Sequence, residues 1–190
     1  MKKTLPLLWL MVALLSGFTA AAQDAVEYAE RVPTENFSRQ TLQARAADWV
    51  EHHFAYGPKT NLKTNAEAGT VSVQGTVKVK PVDNKGQNLE RTARFEFTFT
   101  ATDQGYNYSV GHFQVIADPQ QLDQLVPMEA YLAQLAAEKN VDKTKNDKRV
   151  RAQANSLASE IAMSFRGYMS QIPTAEDGSV GLPAGSSAGN

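Results

Sequence analysis

The alternation of apolar and polar positions is clearest between Ala93 and Val110. Ala93, Phe95, Phe97, Phe99 and Ala101 fall on one parity, and Glu96, Thr98 and Thr100 on the other. After Asp103-Gln104-Gly105 the alternation returns with Tyr106, Tyr108 and Val110. Period-two patterning of this kind predicts two half-buried strands joined by a tight turn. An even-length loop pairs Phe99 with Tyr108 and Phe97 with Val110, keeping the large apolar groups on one face. A three-residue loop would pair Phe99 with Ser109 and mix the faces. Gly111 breaks the rhythm and Phe113 and Val115 resume it on the other parity, which predicts a bulge.

The same reading extends in both directions. Val26, Tyr28 and Val32 share a parity within an expected strand, Ala25 to Val32, that Pro33 ends. Ser38 is a good N-cap, Phe37 and Leu42 are placed for a hydrophobic staple, and Leu42, Ala46, Trp49, Val50, His53 and Phe54 form a helical stripe. Arg45, Asp48, Glu51 and His52 are expected away from that stripe, and Gly57-Pro58 is expected to stop the helix. A weak strand at Asn61 to Asn65 precedes a stronger one, in which Val71, Val73, Val77 and Val79 alternate with polar residues. Gly75 stands there in an apolar position, as at a bulge or a close approach. Pro81 to Gln87 reads as a loop. A short amphipathic helix is expected from Pro127 to Lys139, then a polar linker. Beyond it lies a long helix from about Asp147, whose stripe is Val150, Ala154, Leu157, Ile161, Phe165 and Tyr168. That stripe has coiled-coil-like spacing, but the Phe and Tyr face of the sheet needs a cover, so it is read as core.

Composition sets the outer limits. Lys2 and Lys3 precede an apolar run from Leu5 to Phe18 and the small residues Ala20-Ala21-Ala22. This has the layout of a cleaved export leader, residues 1–22, and the run is shorter than the ~20 residues of a membrane span. Residues 23–172 are then expected to form a single α+β domain, with the sheet in 25–116 and helices in 119–172. The Gly-, Ser-, Ala- and Pro-rich segment 173–190 is expected to be a disordered tail. The chain has no cysteine, which excludes disulfides, thiolate chemistry and lipid attachment at a cysteine. Without Lys2 and Lys3, 17 basic residues stand against 20 acidic ones, a net charge of −3. That balance is not the footprint of a nucleic-acid binder, nor of a polybasic membrane anchor.

Taken with the strand–helix–meander–helix order, several stretches carry a resemblance. They are Val26-Glu27-Tyr28, the Leu42…Trp49…Phe54 helix, Gly69-Thr70-Val71…Gly75, Phe95-Glu96-Phe97-Thr98-Phe99 and Tyr106-Asn107-Tyr108. Together they resemble a family of exported bacterial proteins of unknown function with a TATA-box-binding-protein-like fold. The resemblance covers Ala25 to Val115 best. It implies an α+β fold: a curved antiparallel sheet of about five strands in β-α-β-β-β-β order, with helices on one face. It brings no active-site residues with it.

The candidate chemistry is sparse. Adjacent histidines on an α-helix point ~100° apart, so His52 and His53 are not a chelating pair. Asp48 and His52 have i,i+4 spacing, and a metal there would need a third ligand such as His112. Glu90 and Glu96 share a strand parity at about 20 Å, too far for paired-carboxylate catalysis. Asp123 and Glu129 sit in a connector, and Glu176-Asp177 in the tail. No G-x-S-x-G, G-x-G-x-x-G, P-loop or H-E-x-x-H motif occurs. No catalytic, cofactor-binding or metal-binding residue is therefore assigned, and no cofactor. The outer sheet face is expected to hold Ser72, Gln74, Thr76, Lys78, Arg94, Glu96, Thr98, Thr100, Asn107 and Ser109, a solvated mixture without the wedges of a DNA saddle. The sequence thus points to an exported, non-enzymatic binding or envelope-associated module, periplasmic or secreted, with an unknown protein or envelope partner. A small-ligand or enzyme-like cleft at the sheet rim near His112 is the alternative. It would be marked by His112 gathered with two carboxylates.

Overall fold

The computed structural model describes residues 25–34, 37–116 and 120–171. The expected leader and tail lie outside them. Strand β1 (Tyr28–Pro33) leads into α1 (Arg39–Asp48), which continues as a π-helical turn at Trp49–His53. Four strands follow: β2 (Thr60–Asn65), β3 (Thr70–Val79), β4 (Arg91–Thr102) and β5 (Gly105–Ile116). A short β6 (Leu125–Pro127) precedes α2 (Met128–Ala136), α3 (Val141–Thr144) and α4 (Asn146–Ser170). The order across the sheet is β1-β5-β4-β3-β2, all antiparallel. Both β1 and β6 pair with β5, β1 along Gly105 to Val110 and β6 along Gln114 to Ile116. The result is an α+β domain, a curved antiparallel sheet with its helices on one face.

The β4–β5 register is the expected one, Phe97 opposite Val110 and Phe99 opposite Tyr108. Thr102 faces Gly105, so Asp103-Gln104 is a two-residue loop. Only glycine suits Gly105: its φ is +134°, and an added Cβ would stand 2.1 Å from the Val32 carbonyl oxygen. All three phenylalanines of β4 are at most 1% exposed. Their cover is α4 and the end of α1. The ring of Phe165, from the middle of α4, lies 4.9 Å from both Phe97 and Tyr108 and 5.1 Å from Trp49. Burying each such side chain is worth ~1.5–3 kcal/mol, so this aromatic layer is the main favourable term on the inner face.

Several local expectations change. Ser38 caps α1 as read, its Oγ accepting from the Thr41 N–H at 3.1 Å. Phe37 stays exposed at the surface. The helix ends at His53, not at Gly57, because the π turn swings Phe54 into the core, edge-on to Trp49 at 5.4 Å. Lys59 Nζ then donates to the carbonyls of Val50 and Glu51 that the turn leaves free. Gly75 is the close approach: a Cβ there would lie 2.7 Å from Phe54 Cζ and 2.8 Å from the Tyr56 carbonyl. Arg45, expected in water, is 3% exposed. Its Nη2 donates to the Tyr168 and Gln171 carbonyls at 2.9 Å each, and its guanidinium lies 5.2 Å from the Tyr168 ring centre. The cation thus caps the C-terminus of α4, where the helix dipole favours it. The expected linker contains α3, and the buried Asn146 at the start of α4 bonds Val82 through both its N–H and its carbonyl. These pairings are made across the fold, which is why local patterning missed them.

Candidate functional site

The outer sheet face is polar and largely bonded to itself. Thr98 and Ser109 share a hydrogen bond of 2.8 Å across β4 and β5, Lys78 Nζ donates to Thr92, and Asn61 donates to Gln74. On the inner rim, Glu30 accepts hydrogen bonds from the Tyr28 and Tyr108 hydroxyls and pairs with Arg166 of α4. Burial, then the nearby Tyr28, pushes the Tyr108 phenol far above its usual range. Burial likewise raises Tyr106, against the opposing pull of Arg45, and it raises Tyr56 with help from Glu160.

The regular face is broken at the expected bulge. Glu96 pairs with Gly111 and Arg94 with Gln114, so β5 carries one extra residue between them. That insertion sends Phe113 inward, stacked on Phe95 at 5.6 Å, and His112 outward with φ +51°. His112 Nδ1 lies 2.9 Å from Glu96 Oε2. The bulge also falls in the gap that β1 and β6 leave along β5. Glu27 enters there over Gly111, where a Cβ would meet Glu27 Cγ at 3.1 Å. Glu129, in the first turn of α2, accepts from the Val26 N–H at 3.3 Å. A cleft of about 510 Å³ results, lined by Glu27, Arg94, Glu96, His112, Gln114 and Glu129. A second, of about 420 Å³, runs beside it over Thr98, Thr100, Asn107 and Ser109, and Glu27 belongs to both.

The other sequence candidates go elsewhere. Asp48, the last residue of α1, and His52, in the π turn, meet at 3.0 Å, and the turn brings His53 Nε2 to 4.0 Å from the same carboxylate. Tyr168 donates to Asp48 as well, and its ring lies 4.7 Å from that of His53. This cluster belongs to the helical layer, and His112 to the opposite face of the sheet, so the three histidines do not assemble. Among the described residues no group of three or more His, Cys, Asp or Glu is arranged to hold a metal ion. Glu96 is brought to His112, not to Glu90, which lies 3.9 Å from Lys80. Glu176 and Asp177 lie outside the described residues. The sequence reading did not foresee Glu27 or Glu129 at the site. Neither carries a local signal, because the β1–β5 and β6–β5 pairings bring them there. Chemically, the cleft offers carboxylate acceptors, a guanidinium and an imidazole above a floor of buried rings. That set suits a polar ligand with N–H or O–H groups.

Comparison with known proteins gives a family for the sheet. No curated protein matches the chain. A DUF4468 family protein from Bacteroides ovatus has a TM-score of 0.54 and 9% identity, covering 78% of this chain and 88% of that one. A TBP-like protein from Parabacteroides distasonis is 18% identical with a TM-score of 0.48, covering 75% of this chain and 93% of that one. The first of these likenesses speaks for the fold alone. The family model that matches, over residues 28–115, is a domain of unknown function, DUF4468, with a TBP-like fold. The resemblance read from the sequence is therefore borne out, in that residues 28–115 match the model of that family.

Proposed function

We propose that this chain is exported and that the alternative read from its sequence applies: a small-ligand cleft near His112, at the β4–β5 bulge, which holds a small polar ligand, or the polar end of a larger one, without transforming it. The observation that carries the reading is the meeting of His112 with Glu27, Glu96 and Glu129 around one cavity. Three elements and the segment before β1 contribute, and one residue there, His112, keeps a backbone conformation that costs a non-glycine residue free energy. Binding is favoured over catalysis because the His112 side chain is 83% exposed. Acid–base catalysis of the powerful kind works in sites that exclude water. Export rests on the leader-like residues 1–22, and an envelope setting fits a chain without cysteine or a polybasic patch.

The test is an NMR screen of the full chain against amines, amides, polyols and short peptides. Ligands should shift the amide resonances of residues 94–96 and 111–114, and Glu96→Gln should weaken them. Shifts confined to the β2–β3 half of the sheet would overturn the reading. So would the lack of any binder tighter than about 1 mM, roughly −4 kcal/mol.

A further inference from the structure

We propose that two copies of this chain pair edge to edge through β1, antiparallel about a two-fold axis at Ala29, into a homodimer with one continuous sheet. The inference does not depend on the ligand reading. It starts from the difference between the two sheet edges. At one edge, β2 is blunted: its register to β3 slips between Thr60 and Lys63, Asn61 has φ +52°, and all six residues are exposed. Irregularity and lysine are devices that keep an edge from recruiting another strand. The opposite edge has neither, and its proline, Pro33, is the last residue of the strand, outside the stretch proposed to pair. From Tyr28 to Pro33, β1 stays in register with β5, and among the described residues no strand covers its other side. The charge that β1 turns inward, Glu30, is already satisfied by two tyrosine hydroxyls and Arg166.

Two further observations bear on what meets that edge. Met163, 70% exposed, is the most exposed of the large apolar residues described. It stands one turn before Arg166, the residue that reaches β1, so both lie on the same side of α4. An apolar group therefore waits beside the unpaired strand. The second observation is charge. A pairing that leaves both helical layers on one side must place residues of equal parity opposite each other, because successive side chains alternate faces. A two-fold axis at Glu30 or Arg31 sets like charges against each other. An axis at Ala29 sets small against small, and places Glu27 of each copy opposite Arg31 of the other on the outer face, where the new pair would replace the exposed bond from Arg31 to Gln104 and draw Glu27 off Gly111. Tyr28 then faces Glu30 of the second copy on the inner face. Glu27 borders both outer clefts, so the seam would join the clefts of the two copies into one groove.

The seam is a single six-residue strand, short beside a standard interface of ~800 Å² per partner, so the pairing is expected to be reversible. Sedimentation equilibrium of the full chain should give a reversible monomer–dimer system. Glu27→Arg and Arg31→Glu should each raise the dissociation constant about tenfold or more, because two attractive pairs become repulsive. Mixing the two variants should restore dimers, since every pair across a mixed seam is again opposite in sign. Ala29→Cys should form an intermolecular disulfide, a clean readout in a chain without cysteine, because residues directly opposite at ~4.5–5.5 Å suit that bond. Circular dichroism checks that each variant is folded. A monomer at every concentration would overturn the proposal. So would a dimer indifferent to both reversals, or reversals that the mixture fails to rescue.

Discussion

The β4–β5 hairpin presents two surfaces built from the same backbone, and they differ in what holds them. Beneath, Phe97, Phe99, Tyr106 and Tyr108 are sealed by Trp49 and Phe165, and Phe95 by Phe54 and Tyr56, with ring centres ~5–6 Å apart, as interlocked aromatics prefer. Above, Thr98, Thr100 and Ser109 keep contact with water, and Thr98 and Ser109 bond to each other. Close packing makes the lower surface intolerant of any change in volume. Solvation makes the upper one tolerant, except at the bulge, where one extra residue aims His112 outward. Stability is thus concentrated on one side of the sheet, and the freedom to bind something lies on the other.

This contrast can be broken by experiment, and the largest effect should come from the aromatic layer. Phe97→Ala should cost about 3–5 kcal/mol in denaturant melts, since its cavity lies between Trp49 and Phe165. Arg45→Ala should cost about 1–3 kcal/mol, because it strips the Tyr168 and Gln171 carbonyls of their donor. Arg45→Met should recover part of that loss through packing, since among the described residues the Nε of Arg45 has no hydrogen-bond partner. Gly75→Ala should cost about 1–3 kcal/mol by pressing on Phe54, Phe95 and the Tyr56 carbonyl.

Alkaline titration gives an intermediate effect. Tyr56, Tyr106, Tyr108 and Tyr131 all have raised phenol pKa values in the folded chain. The folded state therefore holds protons that the unfolded chain releases near its ordinary value of about 10. Stability from this source is fully present below that pH and falls as pH rises through the folded-state values. Thermal melts across the alkaline range should show that decline, and Tyr108→Phe should flatten it. A decline beginning near neutral pH would point to other groups.

The smallest effect belongs to the outer surface. Thr98→Ala should cost no more than about 1 kcal/mol, the worth of its bond to Ser109. If Thr98→Ala and Phe97→Ala cost the same, the distinction between the faces would fail.

Much of this was legible in the chain itself. Alternation from Ala93 to Val110 determined the strands, the even loop and the shared face, because a one-residue slip would have buried the threonines. The broken rhythm at Gly111 marked the bulge that became the candidate site. What escaped were contacts between residues far apart in sequence: Arg45 on the end of α4, Asn146 on Val82, and Glu27 and Glu129 beside His112. A polar residue on a helix stripe looks the same in sequence whether it points to water or to a distant carbonyl.

Periodicity is a local property, imposed by the two-residue repeat of a strand and the 3.6-residue repeat of a helix, so the sequence alone could specify the elements and their greasy faces. Which strands became neighbours, which became the edges and which carboxylates came to share a cleft with the imidazole were decided only when the sheet assembled on its core. Those pairings depend on the order β1-β5-β4-β3-β2, a property of the whole chain at once.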